Sequence, residues 1–174
     1  ISMYKTGDTI WIHDYHLMLA PAMIRDALPQ AKIGFFLHVS FPSSEVFRCF
    51  AQREHILKGI LGANYVGFQT KEYARHFLQT SSRLLMTDLN EAELKYKGKV
   101  VSVKHTPVGI DLFNLDGQLR QERVLQWRQL IRAKWKGKRL IVSRDQFDRV
   151  RGLKKKMLAY ERFLRENPEY IQKI

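Results

Sequence analysis

Three short apolar runs, each followed by a helix-length amphipathic stretch, constrain this chain more than any other feature. They are Thr9-Ile10-Trp11-Ile12, Lys32 to Val39 (with Ile33-Gly34-Phe35-Phe36-Leu37 at its centre) and Tyr65-Val66-Gly67-Phe68. Each is apolar at successive positions rather than alternate ones, the pattern of a buried strand. Strands of that kind, alternating with helices, predict a parallel sheet covered on both sides, an α/β fold. The intervening stretches carry helix punctuation. Leu17 to Leu28 tolerates Pro21 only in a first turn and is closed by Pro29. Pro42-Ser43-Ser44-Glu45 reads as a helix start, because proline and small hydroxyls precede an acid that favours the positive end of the dipole. That helix is expected to bury Val46, Phe47, Phe50, Ile56, Leu57, Ile60 and Leu61, to hold Cys49 in the core and to stop at Gly62. Thr70 is placed to cap a third helix with Tyr73, Ala74, Phe77, Leu78 and Leu85 on one face.

Beyond residue 90 the pattern changes. Lys97-Gly98 separates Leu94-Lys95-Tyr96 from Val100 to Val103, an expected antiparallel hairpin. Pro107 to Asp116 breaks the alternation and marks a boundary. A helix is expected from about Leu119 to Trp135, then a short strand at Leu140-Ile141-Val142, then a helix from Leu153 to Glu166 ended by Asn167-Pro168.

The formal net charge of +13 makes an anionic partner plausible. The basic residues concentrate in Arg132 to Arg139 and Arg149 to Lys156. Nucleic acid and phosphorylated small molecules both fit such a surface, and so does a plain solvated helix face. No apolar run approaches the roughly 18 residues of a membrane span, so no membrane partner is expected. A single cysteine, Cys49, excludes an internal disulfide and makes the cytoplasm the natural compartment. The start at Ile1-Ser2-Met3 and the end at Gln172-Lys173-Ile174 read as those of an internal piece of a longer protein.

In open parallel sheets ligands gather beyond the carboxyl ends of the strands. Those ends deliver His13-Asp14-Tyr15-His16, His38 with Ser40 to Ser43, Gln69-Thr70 and Ser143-Arg144-Asp145. Each has a plainer reading as well: a histidine there is commonly a structural hydrogen-bonding group, and Asp14 is equally read as a helix cap. His13 and His16 form a weak metal-pair pattern, and no metal is expected. Neither a Walker loop nor a G-x-G-x-x-G run occurs.

Taken together, Trp11-Ile12-His13-Asp14-Tyr15-His16-Leu17, Ile33 to Glu45, Gly67-Phe68-Gln69-Thr70, Tyr73-Ala74-Arg75-His76-Phe77, Pro107-Val108-Gly109-Ile110-Asp111 and Leu158 to Leu164 resemble the trehalose-6-phosphate synthases, glycosyltransferase family 20. The resemblance implies a GT-B-type enzyme fold of two Rossmann-like lobes with the site in the cleft between them. Residues 1–115 would be part of the N-terminal, acceptor-side lobe, and 116–174 the start of the C-terminal nucleotide-sugar-binding lobe. It implies transfer of glucose from UDP-glucose to glucose-6-phosphate with retention, with no metal and no cofactor. Asp14 would bind the acceptor sugar, and His38 would contact the donor glucose near the reacting carbon.

The stretch expected to hold the UDP phosphates departs from the family's Arg-Leu-Asp-Tyr-x-Lys-Gly. It reads Gln146-Phe147-Asp148-Arg149-Val150-Arg151-Gly152, so Gln146 stands for the arginine and Arg151 for the lysine. Glutamine donates hydrogen bonds but brings no charge, and Arg151 keeps charge with changed geometry. Losing one preorganised donor to a departing phosphate costs roughly 3 to 4 kcal/mol, about a hundred- to a thousand-fold in rate. Arg144 and Arg149 are candidate substitutes. Ser40 is a second departure, standing where the family usually has proline. The substituted stretch Ser143 to Asp148 resembles the regulatory, synthase-like subunits of fungal trehalose synthase complexes. Those are non-catalytic and bind the catalytic trehalose-6-phosphate synthase and the trehalose-phosphate phosphatase. The expected function is therefore a regulatory or scaffolding role in trehalose biosynthesis, with a cleft that could still take UDP-glucose or glucose-6-phosphate. The alternatives are an active retaining glucosyltransferase, which retained Asp14 and His38 favour, and polyanion binding through the basic runs.

Overall fold

The computed structural model describes residues 1–90, 92–148 and 151–174. They form two compact units, Ile1–Gly109 and Ile110–Ile174. In the first, β1 (Thr9–His13), β2 (Lys32–Leu37), β3 (Tyr65–Phe68), β4 (Asp88–Asn90), β5 (Glu93–Tyr96) and β6 (Lys99–His105) build one mixed sheet in the order β1-β2-β3-β6-β5-β4. The neighbours from β1 through β3 to β6 are parallel, and β6-β5-β4 are antiparallel. The chain crosses between the parallel strands through α1 (Ala20–Ala27), then α2 (Ser44–Phe47) and α3 (Arg53–Ile60), then α4 (Lys71–Leu85).

The register sorts the side chains onto two faces. Ile10 and Ile12 lie beside Ile33 and Phe35, and Phe35 and Leu37 beside Val66 and Phe68. These residues, with Val101 and Val103, pack against Leu57, Ile60, Phe77 and Leu78 from the helices as one core. A fully buried side chain of this size stabilises by about 1.5–3 kcal/mol. The opposite face departs from the expectation of a sheet covered on both sides. Trp11, Gly34 and Tyr65 share one row there, and Trp11 stacks on Tyr65 at 5.8 Å while remaining 49% exposed. Gly34 and Gly67 read as apolar strand positions because neighbouring rings cover them. A Cβ on Gly67 would come within 2.6 Å of Phe36 Cδ2, and one on Gly34 would collide with the Trp11 ring. The strand ends are tied from below by Arg25, which donates to the carbonyls of Gly62, Pro29 and Ala31 and to Asn64 Oδ1.

The stretch expected as one helix from Ser44 to Leu61 is broken. One turn ends at Phe47, and a loop of turns precedes α3. Phe47 is buried, but Val46 and Phe50 face solvent, and so does Cys49, whose thiol reaches only the Glu45 carbonyl. The cause is Phe41, 1% exposed, which packs against Phe47, Phe68 and Phe77 with centroids 4.9, 6.0 and 5.3 Å away. Pinning one turn to that cluster directs Val46, Cys49 and Phe50 outward.

The second unit holds α5 (Leu112–Leu119), α6 (Glu122–Lys134) and α7 (Leu153–Glu166). Asp111 caps α5 by accepting from the Asn114 backbone N–H at 2.9 Å, a start that the hydrophobic pattern alone did not mark. The expected strand at 140–142 is not formed. Among the described residues of this unit there is no strand to pair with it, and an isolated strand leaves its backbone groups unpaired. Trp127, Leu130 and Ile131 of α6 are exposed. No described helix is long and apolar enough to cross a membrane.

Candidate functional site

The parallel register of β1 and β2 sets His13 beside Phe36, one turn of the pleat short of His38. That brings the two histidine-bearing strand ends together at the carboxyl edge of the sheet. His13 Nδ1 and His38 Nε2 lie 3.0 Å apart, with ring centroids at 5.2 Å. Asp14 follows immediately. Its N–H donates to the Phe36 carbonyl at 2.8 Å, so the bonding to β2 continues one residue past β1. Its carboxylate Oδ1 accepts from the His38 backbone N–H at 3.3 Å. To do both, Asp14 takes φ 69° and ψ 173°, a region that side chains disfavour by about 1–3 kcal/mol. Such an outlier at a strand end marks a position held for the direction of its carboxylate rather than for backbone comfort. The Leu17 N–H closes a turn on the Asp14 carbonyl, but no side-chain cap forms.

The loop after His38 is anchored rather than free. Phe41 is buried in the aromatic cluster, and its carbonyl lies 3.2 Å from His76 Nδ1. Ser40 Oγ donates to Tyr73 Oη at 2.8 Å, so a hydrogen bond to α4 holds the position where the family resemblance expects proline. Gln69 and Thr70 are already engaged: Gln69 Oε1 accepts from the Val108 N–H at 2.9 Å, and Thr70 Oγ1 caps α4 through the Tyr73 N–H at 3.2 Å.

Gln146 and Arg151 belong to the second unit, on the segment leading into α7. The Gln146 side chain is exposed, and its carbonyl accepts from the Asp148 N–H at 2.9 Å. Asp148 holds Arg151 twice, through the backbone N–H at 2.8 Å and the guanidinium Nε at 3.2 Å. Asp145, whose side chain is 12% exposed, takes Lys156 Nζ at 2.8 Å and the Ser143 hydroxyl. The Lys156 hydrogen bond, then that from Ser143, holds the Asp145 carboxyl below the usual carboxylate range. Lys156, the end of one basic run, is thereby neutralised locally. Arg149 and Val150 lie outside the described residues.

Sequence spacing missed the partner of His38. Sequence spacing pairs His13 with His16, three positions along the chain, but the His16 ring lies against Tyr15 at 4.0 Å. No local pattern reports a contact that depends on strand register. Among the described residues no group of three or more His, Cys, Asp or Glu side chains is arranged to hold a metal ion.

The model of glycosyltransferase family 20 matches residues 1–174. The trehalose synthase complex regulatory subunit TSL1 of Saccharomyces cerevisiae is 71% identical over 99% of this chain, which covers 16% of that protein. The regulatory subunit TPS3 of the same yeast is 69% identical over 100% of this chain, again 16% of its own length. The solved N-terminal domain of Candida albicans trehalose-6-phosphate phosphatase superposes with a TM-score of 0.92 at 43% identity, over 97% of this chain and 36% of that one. The chain thus spans about a sixth of each yeast regulatory subunit, and the α/β architecture is that of the solved domain. A family match over every residue, carried on this fold, places the chain in glycosyltransferase family 20.

Proposed function

We propose that this chain is part of a synthase-like, non-catalytic subunit that regulates or scaffolds trehalose-6-phosphate synthesis in a trehalose synthase complex. The observation that carries the reading is the state of the segment before α7. Gln146 stands where the resemblance expects an arginine, and Arg151 is tied by its own backbone and side chain to Asp148. Without a metal, a departing nucleoside diphosphate depends on free, preorganised cations. Here one is missing and another is shared with a carboxylate. The names of the yeast relatives support the regulatory assignment.

In this reading residues 1–115 serve the acceptor side of a GT-B-type cleft, and 116–174 open the nucleotide-sugar lobe. The partners are the catalytic trehalose-6-phosphate synthase and the trehalose-phosphate phosphatase, in the cytoplasm. Asp14 and His38 keep a binding role for glucose-6-phosphate and UDP-glucose, so that the subunit senses metabolites it does not convert. The second reading, an active retaining glucosyltransferase, draws on the same two residues, which are held together by the Asp14–His38 hydrogen bond.

The deciding experiment is UDP release by the full-length protein, purified away from any other synthase and supplied with UDP-glucose and glucose-6-phosphate. The regulatory reading expects no release above a Gln146→Ala, Arg151→Ala control. Turnover near one per second, within the usual enzyme range, would establish the synthase instead.

A further inference from the structure

Neither His13 nor His38 belongs to the buried core, and both are exposed at the carboxyl edge of the sheet. Their contact is therefore not a by-product of dense packing. A separation of 3.0 Å between His13 Nδ1 and His38 Nε2 requires one nitrogen to carry a proton and the other to be bare. Two arrangements satisfy this. If His13 Nδ1 donates, both neutral rings adopt the Nδ1–H form. If His38 Nε2 donates, both adopt the Nε2–H form, which is the more abundant tautomer of a free histidine side chain.

We propose that His13 is a positioning residue: it accepts from His38 Nε2–H, fixes the tautomer and rotation of the His38 ring, and leaves the bare His38 Nδ1 to accept a hydroxyl from a bound hexose. The choice of a hexose rests on the reading of the cleft given above. The tautomer does not.

The surroundings restrain both rings. Trp11 meets the His13 ring edge-on at 5.7 Å. The Phe36 ring lies 6.5 Å from His13 and 4.8 Å from His38. The His38 main chain is held by its N–H to Asp14. What these contacts leave undetermined is whether the His38 Nε2 that meets His13 is protonated or bare, because ring shape is the same in the two tautomers. Only the hydrogen bond to His13 distinguishes them. Without it the outward nitrogen is sometimes a donor and sometimes an acceptor, and a ligand hydroxyl finds its partner less often.

The test combines a spectroscopic signature with ligand binding. Histidine labelled with ¹⁵N in the ring reports the tautomer directly, with His38 assigned by its loss in His38→Gln. The wild type is expected to show His38 with Nε2 protonated and Nδ1 bare, and His13→Ala to show the two averaged. UDP-glucose affinity by calorimetry should fall about five-fold in His13→Ala, the scale of one neutral hydrogen bond. His13→Asn should bind close to wild type, because its Oδ1 replaces the Nδ1 acceptor. A His38 protonated at Nδ1 in the wild type, or a spectrum unchanged in His13→Ala, overturns the proposal. If His13→Ala does not fold, the wild-type and His13→Asn spectra still decide. No heat from UDP-glucose with the wild type overturns the hexose assignment alone, while the ring nitrogens continue to report on His13.

Discussion

Lys156, on the first turn of α7, places its ammonium 2.8 and 2.9 Å from the two carboxylate oxygens of Asp145, eleven positions earlier in the chain. That contact ties the segment before α7 to the helix. It also pairs a cation close to Gln146 and Arg151, the residues proposed above for a nucleotide phosphate. The Asp145 carboxyl is held below its ordinary pKa, first by Lys156 and then by Ser143. A carboxylate with a lowered folded pKa contributes stability that is fully present above its unfolded value, about 3.9. That contribution disappears as pH falls through the lower folded value. The melting difference between wild type and Asp145→Asn should therefore be open at neutral pH and close in acid. A difference that does not shrink as pH falls would mean the carboxylate charge is not what holds the segment.

Adding charge at position 146 is the direct test of the regulatory reading. Gln146→Arg should raise UDP release from background, and adding Arg151→Lys should raise it further, because a lysine cannot form the same planar contact with Asp148. A gain of at least ten-fold is expected from a change whose reverse costs roughly a hundred- to a thousand-fold in preorganised sites. If both variants release UDP no faster than the wild type, the charge at positions 146 and 151 does not set activity.

Asp14 separates stability from binding. Glycine adopts its φ of 69° and ψ of 173° without the side-chain penalty. Asp14→Gly should leave the melting temperature unchanged or raised, against about 1 kcal/mol of relieved strain, while removing the acceptor from the His38 N–H. Binding of glucose-6-phosphate, followed by calorimetry, should be lost in the same variant. A variant that melts lower than wild type would show that the carboxylate serves structure, through the His38 N–H, and is not a strained ligand group.

Two glycines should respond differently to the same change. At Gly62 a Cβ would meet the backbone of Ala22 and Pro21, whereas at Gly34 it would meet only the Trp11 ring. The ring is half-exposed and can swing away, but the first turn of α1 cannot. Gly62→Ala should cost about 1–3 kcal/mol or more in urea titration, and Gly34→Ala distinctly less. Equal costs would mean that Trp11 is fixed as firmly as backbone.

Legibility followed the range of the interactions. Tyr65–Phe68 and Leu153–Glu166 appear with the bounds expected from punctuation alone, because Gly62, Thr70, Gly152 and Asn167-Pro168 act on their own neighbours. The expected helix from 44 to 61 did not survive, because Phe41 and Phe77, distant along the chain, compete for Phe47. The apolar run at 140–142 carried a strand's composition but found no partner. Asp14 and His38 were visible as polar groups at strand ends. The contact between His13 and His38, and those between Asp148 and Arg151 and between Asp145 and Lys156, were not.

Resemblance of motifs distributed over the whole length carried the family, while composition and spacing along the chain were enough to specify an α/β order of elements and the positions where strands end in polar groups. The last two depend on residues adjacent in sequence, so local propensity and periodicity carry them. Which nitrogen meets which, which face of the sheet is buried and which cation is already paired came from folding. They depend on strand register and on side chains brought together across tens of residues, and a one-residue change of register would have reassigned all of them.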